Sequence, residues 1–461
     1  MIYDVIIIGA GISGLSLAYL LHKAGFKILV IEKSNRVGGV IKTIKTLHTA
    51  GEFLFECGPN SILDTTGEIY NFIKQAGFEN EVCFANEIAK KRFILKGGKL
   101  RVVPLSPLSL IFSSLFSVRG KIRILLELLI KSKSDDFEEE SVADFVIRRL
   151  GKEFLDYAID PFVAGIYAGA PQNLSFKFTF PRMYELEKQY GSLIRGFIKK
   201  QMERRKVSPQ PTGNLISFKN GMQTLTDMIY ERIKDFVLLN CNISQVATDA
   251  NQNINVHLDD GRFLSSKLLV FALPSYELQK IDVRLNNFPA KLLAGIKYLP
   301  ISIIHTAFKR EGVGHRLDGF GFLIPKVENT KTLGTIFNSA LFPNRVCEGY
   351  VSLSTFLGGA RKPDICSLDD NTILDYFSID CSKPLDIKTP PEFYHTVRVE
   401  RAIAQYEIGY GMYEQAMQNF ESMYKNVFIT GSFRGGVSVG DCIRNSIKLS
   451  NKITTVLNSV R

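Results

Sequence analysis

The 461-residue chain has no tryptophan, no C-x-x-C pair and no run of eighteen apolar residues. The last of these absences excludes a membrane-spanning helix. Its seven cysteines, at 57, 83, 241, 347, 366, 381 and 442, are odd in number and widely spaced. That argues against a disulfide framework and for reduced thiols in a cytosolic protein. Six histidines lie scattered without ligand spacing, so no metal is expected. Strand-like sequence starts at once, and no secretory leader is expected ahead of it.

What the chain does have is ordinary globular content, 45% hydrophobic and 22% charged, at a length that suits two or three domains. Acidic residues are in deficit, with a net charge of +11. Such a balance calls for an anionic partner: nucleic acid, anionic lipid or an acidic substrate. The excess is uneven. Residues 90–133 hold eleven Lys/Arg and one acid, Glu127, and "SDDFEEES" follows directly. The basic residues sit among long apolar stretches with few aromatics for stacking bases, which favours lipid over nucleic acid.

Residues 5–8 form a continuous β-branched run, the pattern of a buried parallel strand. Gly9, Gly11 and Gly14 then give G-x-G-x-x-G. The first glycine permits the tight turn, the second lets backbone approach a pyrophosphate, and the third lets helix pack on strand. The spacing predicts a helix from Ile12 to Lys23 with its N–H groups facing the phosphates, stopped at Gly25. "KILVI" is the second strand, ending at Glu32, whose carboxylate can accept from ribose hydroxyls. This is a dinucleotide site, and the motif alone does not separate NAD from FAD. The Gly38-Gly39 pair just behind Glu32 adds a second close backbone approach and points to the larger cofactor. Arg36 could neutralise a phosphate. "FLFECGPNSI" runs a strand into a turn at residues 58–61.

Further along, residues 68–76 read as a helix, and "KRFILKGGKLRVVPL" as a hairpin turning at Gly97-Gly98. Residues 105–130 fit two short amphipathic helices, and Ser141 caps another; helices dominate to about residue 200. Strand-rich stretches follow at 240–274, 296–310 and 320–355. A buried strand at 427–430 meets Gly431, Gly435 and Gly436 before a last helix near Ser438 or Gly440, a second N-terminus suited to an electron-rich group.

"GAGISGLSLAYLLHKAGFKILVIEKSNRVGG", "GPNSI", "SFKNGMQTL", "HTAFKREGVGHRLDGFGFLIP", "RAIAQYEIGY" and "ITGSFRGGVSVGDCI" follow one another over nearly the whole chain. Together they resemble the oxygen-dependent protoporphyrinogen oxidases, heme-biosynthesis flavoenzymes of the amine-oxidase-like FAD superfamily. The resemblance implies an α/β fold with α+β insertions. A discontinuous Rossmann-like FAD-binding domain would comprise 1–90, 212–285 and 396–461. A mixed-sheet substrate domain would take 91–103 and 286–395, and a helical membrane-binding insertion 104–211. It implies non-covalent FAD, held by Gly9, Ala10, Gly11, Ile12, Ser13 and Gly14 at the pyrophosphate and Glu32 at the ribose. Lys33, Arg36, Gly39 and Val40 would line the cofactor, and Gly58, Pro59, Asn60 and Ser61 would run along the flavin. Val246 would contact adenine through its backbone. Ser432, Val437, Ser438 and Val439 would bring the last helix N-terminus to the flavin.

The implied reaction removes six electrons from protoporphyrinogen IX in three hydride transfers to the flavin, with molecular oxygen as acceptor. The cofactor carries that chemistry, no strong base is required, and Asn60 is the residue nearest the reacting carbon. Some members of the family follow the helix after "GPN" with a Gly-Leu-Arg or Gly-Phe-Arg; here Gly77-Phe78-Glu79 stands instead, so the carboxylate clamp lies elsewhere. That departure leaves the tetracarboxylate coproporphyrinogen III open as substrate. Another FAD amine-oxidase-like activity is the remaining alternative. The resemblance also implies peripheral contact with an anionic membrane at the inner face of the cell membrane, no nucleic acid, and compatibility with a homodimer.

Overall fold

The computed structural model describes residues 2–48, 51–132, 139–204 and 214–459. Most of the acidic cluster after Lys133, and the end of the expected helical region beyond residue 204, lie outside the described residues.

The β-branched opening does form a parallel strand, Ile2–Ile8, in the interior of an eight-stranded sheet. It pairs in parallel with Ile28–Ile31 on one side and Phe263–Phe271 on the other. Alternation divides its side chains between two cores. Val5 and Ile7 enter one, with Ile28, Val30, Leu268 and Val270. Ile6 and Ile8 enter the other, with Leu29, Ile31, Leu269 and Phe271. Both faces are buried, which is why the strands read as unbroken apolar runs. An antiparallel meander, Ile243–Thr248, Ile254–Leu258 and Phe263–Phe271, widens the sheet. Val427–Ile429 returns from the far end of the chain to pair with Phe263–Phe271.

A second sheet of seven strands runs Phe393–Ala404, Tyr298–Lys309, Tyr350–Gly358, Thr332–Phe337, Gly321–Leu323, Phe93–Lys96 and Lys99–Val102. It is antiparallel except where Phe93–Lys96 lies parallel to Gly321–Leu323. A hairpin, Thr43–His48 with Gly51–Glu56, bridges to it through an aromatic stack: Phe55 lies 4.8 Å from His305 and 5.8 Å from Phe393.

Short helices fill much of the stretch between residues 107 and 204. Pro107–Phe112 and Val118–Leu125 start at Ser106 and Ser117, whose hydroxyls accept from the third N–H of each helix. The acid in the basic stretch, Glu127, is fully buried against Arg149 at 3.2 Å and accepts from the N–H groups of Leu193 and Ile194. It therefore pins the short helices to the body of the protein. No helix among the described residues is long and apolar enough to cross a membrane.

Candidate functional site

The opening strand is flanked on both sides by strands reached through separate connections, so a crevice opens at its carboxyl end. The glycine turn sits there. A Cβ on Gly14 would lie 1.9 Å from the Gly9 carbonyl oxygen, so only glycine lets the helix Ile12–Lys23 start this close to the strand. A Cβ on Gly11 would meet nothing within 4 Å. That space is open beside a helix start that no side chain caps. Uncapped N–H groups beside vacant volume suit an anionic group.

Glu32 closes one end of the turn. One carboxylate oxygen accepts from Ala10 N–H at 2.8 Å, the other from Ser34 N–H at 2.9 Å and Ser34 Oγ at 2.7 Å. These bonds fix the carboxylate and leave lone pairs for hydroxyl donors. The Gly38-Gly39 turn docks on the first glycine turn through a Gly11–Gly38 bridge, with Gly38 N–H on Ala10 O at 2.8 Å. Arg36 holds that turn from below, donating to the carbonyls of Val37, Gly39 and Ile41, and Lys33 pairs with Glu277 at 2.9 Å. Val40 ends the turn 60% exposed, an apolar side chain left open at the centre of a polar cradle. Gly58 packs on Val40, where a Cβ would come within 2.4 Å of its carbonyl oxygen. This brings Pro59, Asn60 and Ser61 into line behind it.

The last helix, Val439–Asn458, completes the ring. Ser446 Oγ donates to Ser13 O at 2.9 Å, and Gly440 faces Ile62. Two buried tyrosines hold the loop ahead of it. Tyr406 donates to Ser432 O at 3.1 Å and accepts from Gly436 N–H at 2.9 Å; Tyr410 donates to Phe433 O. Ser438 and Asp441 form a capping box. Val437 is half-buried and Val439 buried beside them. Contacts thus run in series from the Gly9 to Gly14 turn to Glu32, to the Gly38-Gly39 turn and on from Val40 to Gly58, while the last helix returns to Ser13 and Ile62. The open space at Gly11, the uncapped helix start and the fixed Glu32 carboxylate fit the pyrophosphate and ribose of FAD.

Val246 does not join them. It is fully buried between two neighbouring strands, and its carbonyl accepts from Arg284 N–H at 2.7 Å. The segment set beside Glu32 comes slightly earlier: Asn240 N–H donates to Ser34 O and Cys241 N–H to Glu32 O, each at 3.0 Å. "SQVAT" is the interior of its strand, and it is the preceding turn that reaches the cradle.

Two further groups carry no motif, and of these the sequence offers Arg92 only as a guess for the carboxylate clamp. Arg92 opens the strand region at Phe93 and stacks over Phe320 at 5.3 Å. Its guanidinium has no hydrogen bond or ion pair among the described residues. It is open to solvent, and the protein packed along its stem lowers its pKa. Phe320 O accepts from Phe337 N–H, next to Asn338, and Asn338 Oδ1 accepts from Asn60 Nδ2 at 3.2 Å. These contacts link Phe320, beneath Arg92, to the Asn60 turn in series. No spacing marks Arg92 out among eleven basic residues.

The second is Glu56, buried two residues before Gly58. It accepts from Met222 N–H and Thr43 Oγ1, each at 2.8 Å, and lies 3.8 Å from Arg345. Burial pushes its pKa up to about 7, against those hydrogen bonds and Arg345. The folded state therefore holds a proton there that the unfolded chain has released. This contribution is complete below the ordinary carboxylate range and is lost as pH rises through about 7. Glu56→Gln is expected to remove that loss, on the order of 3 kcal/mol at most. Denaturant midpoints at pH 5 and pH 8 should converge in the variant; an unchanged gap would refute the assignment.

A family model for flavin containing amine oxidoreductase matches residues 12–454. The mitochondrial protoporphyrinogen oxidase of Nicotiana tabacum is 30% identical over 99% of this chain and 95% of its own. A coproporphyrinogen III oxidase of Bacillus subtilis (strain 168) is 26% identical, covering 95% of each. A crystal structure from Exiguobacterium sp. 255-15, assigned as a protoporphyrinogen oxidase, superposes with a TM-score of 0.78 over 99% of both chains. At 19% identity that last likeness is one of fold.

Proposed function

From the premise that this chain belongs to the flavin-containing amine oxidoreductase family, we propose that it oxidises protoporphyrinogen IX to protoporphyrin IX, with FAD as cofactor and oxygen as acceptor, in heme biosynthesis. The observation that carries this reading is the end-to-end match to a protoporphyrinogen oxidase. FAD, when bound, supplies a hydride acceptor that oxygen regenerates, with release of hydrogen peroxide.

The residues then divide the work. The N–H groups at Gly11 to Gly14 take the pyrophosphate and Glu32 the ribose hydroxyls, while the 240–243 turn lies along the adenine. Val40 and the turn from Gly58 to Ser61 form one wall for the flavin, and the last helix start, near Val439, the other. Arg92 takes a propionate of the substrate. An exposed guanidinium without a protein partner is free to form charge-assisted hydrogen bonds, and this substrate brings carboxylates.

The helices at Pro107–Phe112 and Val118–Leu125 dock on an anionic membrane surface. Their apolar side chains face outward: Phe112 is 85% exposed and Leu129, just beyond, 77%, with Leu105, Leu108, Val118, Ile122 and Leu125 also exposed. Arg119, Lys121 and Lys131 stand among them. Exposed apolar surface ringed by cations suits the lipid interface. Phe112→Ser with Leu129→Ser should cut binding to anionic vesicles at least a hundredfold, the lower end of what two large buried side chains contribute. Undiminished co-sedimentation would discard this surface.

The functional reading is tested by porphyrin fluorescence from protoporphyrinogen IX and coproporphyrinogen III in parallel. Faster emission from the former is expected. Emission from the latter alone moves the assignment to the activity for which the Bacillus subtilis relative is named, and emission from neither rejects both.

A further inference from the structure

Three polar side chains lie in the interior of the seven-stranded sheet without an obvious reason to be there. Asn338, Ser354 and His305 are 4%, 1% and 0% exposed. His305 and Ser354 face each other directly across neighbouring strands. Asn338 follows the end of the next strand, whose Phe337 pairs with Leu353. Apolar residues at these positions would avoid the desolvation cost that each buried polar group carries.

Together they form a line that leaves the sheet at the cofactor cradle. Asn60 Nδ2 donates to Asn338 Oδ1 at 3.2 Å, and Asn338 Nδ2 to Ser354 Oγ at 2.7 Å; Ser354 Oγ lies 2.8 Å from His305 Nδ1. The line has a direction. A serine hydroxyl has one proton. Ser354 Oγ already accepts from Asn338, and no other acceptor engages it among the described residues. Its proton therefore goes to His305 Nδ1, which must be bare. Burial, reinforced by His395 on the adjacent strand and opposed by the Glu56 backbone, lowers the His305 pKa to about 3 and keeps the ring neutral. Phe55 holds that ring by stacking, 25° from parallel. Every bond in the line then has one sense. At the open end the Asn60 nitrogen must face Asn338, and its oxygen must face away. That oxygen has no partner among the described residues.

We propose that Asn338, Ser354 and His305 are positioning residues that fix the Asn60 amide with its oxygen toward the porphyrinogen, where it accepts a hydrogen bond from a pyrrole N–H. The inference rests on the functional reading above and adds the group that recognises the macrocycle itself, while Arg92 recognises its side chain. A freely turning amide would present donor and acceptor equally. A polarised one favours a ring whose nitrogens carry hydrogen, and the donor bond from Asn338 to Ser354 leaves His305 Nδ1 as the acceptor that ends the line.

The test is a double-mutant cycle on the FAD-loaded enzyme with Asn60→Ala, Ser354→Ala and both together. Two quantities are read: kcat/KM for porphyrinogen, and the dissociation constant of protoporphyrin from quenching of its fluorescence. Each single change should worsen both about tenfold, the equivalent of ~1.4 kcal/mol. The double variant should be no worse than the poorer single. Losses that multiply in the double variant, or a Ser354→Ala enzyme equal to wild type, overturn the proposal. Should Ser354→Ala fail to take up FAD, Asn338→Asp runs the same cycle under the same criteria. It keeps an oxygen for Asn60 and removes the donor to Ser354. A wild type that neither oxidises porphyrinogen nor binds porphyrin overturns the functional reading and this inference together; a wild type that does both, with multiplying losses in the cycle, overturns the inference alone.

Discussion

Gly11→Ala is expected to give a protein of unchanged stability almost free of FAD, whereas Gly14→Ala loses stability and cofactor together. The two glycines are three residues apart in one turn, and the difference is geometric. Gly11 has ordinary extended dihedrals, φ −70° and ψ 176°, and open space where a Cβ would go. Alanine fits there without strain. Its methyl would fill the volume beside the uncapped helix start, where the pyrophosphate must approach backbone N–H groups. At Gly14 the added atom would meet the Gly9 carbonyl at 1.9 Å, and both sides of that contact are backbone. Helix and strand would have to separate in a core that does not yield, at a cost of about 1–3 kcal/mol or more. The flavin-to-protein absorbance ratio and a thermal melt on each purified variant separate the cases. A Gly11→Ala protein with full flavin would mean that the pyrophosphate lies elsewhere.

Arg92→Ala should raise KM for protoporphyrinogen roughly 10- to 150-fold, the range of a lost charge-assisted hydrogen bond of about 1.5–3 kcal/mol. Because Arg92 engages a carboxylate remote from the reacting carbon, kcat should move little. FAD content should stay the same. Arg92→Lys should recover only part of the loss, since a point charge replaces a two-pronged donor. A substrate with esterified propionates supplies the control: wild type and Arg92→Ala should handle it alike. An unchanged KM for the free acid would remove Arg92 from the site.

How far the sequence disclosed this site depends on how local each signal is. The turn from Gly9 to Gly14, the helix Ile12–Lys23 and Glu32 were legible because one βαβ unit specifies them within about thirty residues, with a physical demand at each position. The last helix was legible for the same reason, with Gly435, Gly436 and Ser438 marking its start. Val246 shows where the signal weakens: an apolar strand announces itself, but its register against the cradle depends on neighbours far away in sequence. Asn338, Ser354 and His305 were illegible because two are polar residues among other polar residues of apolar-rich strands and the third opens a short helix after another strand. Only the pairing of distant strands turns the three into a line. Arg92 was hidden differently. A cation is recognised as unpaired only after every surrounding acid has been located.

The bond from Ser446 to Ser13 joins residues 433 positions apart, and Val427–Ile429 joins a sheet begun at Ile2. This has a consequence for biosynthesis. While the chain is still being made, its first helix displays an unfinished pocket whose last wall has not been translated. Flavin capture is thus deferred almost to chain release, and a protein lacking only its final helix, though it carries the whole opening motif, should leave the ribosome unable to keep its cofactor.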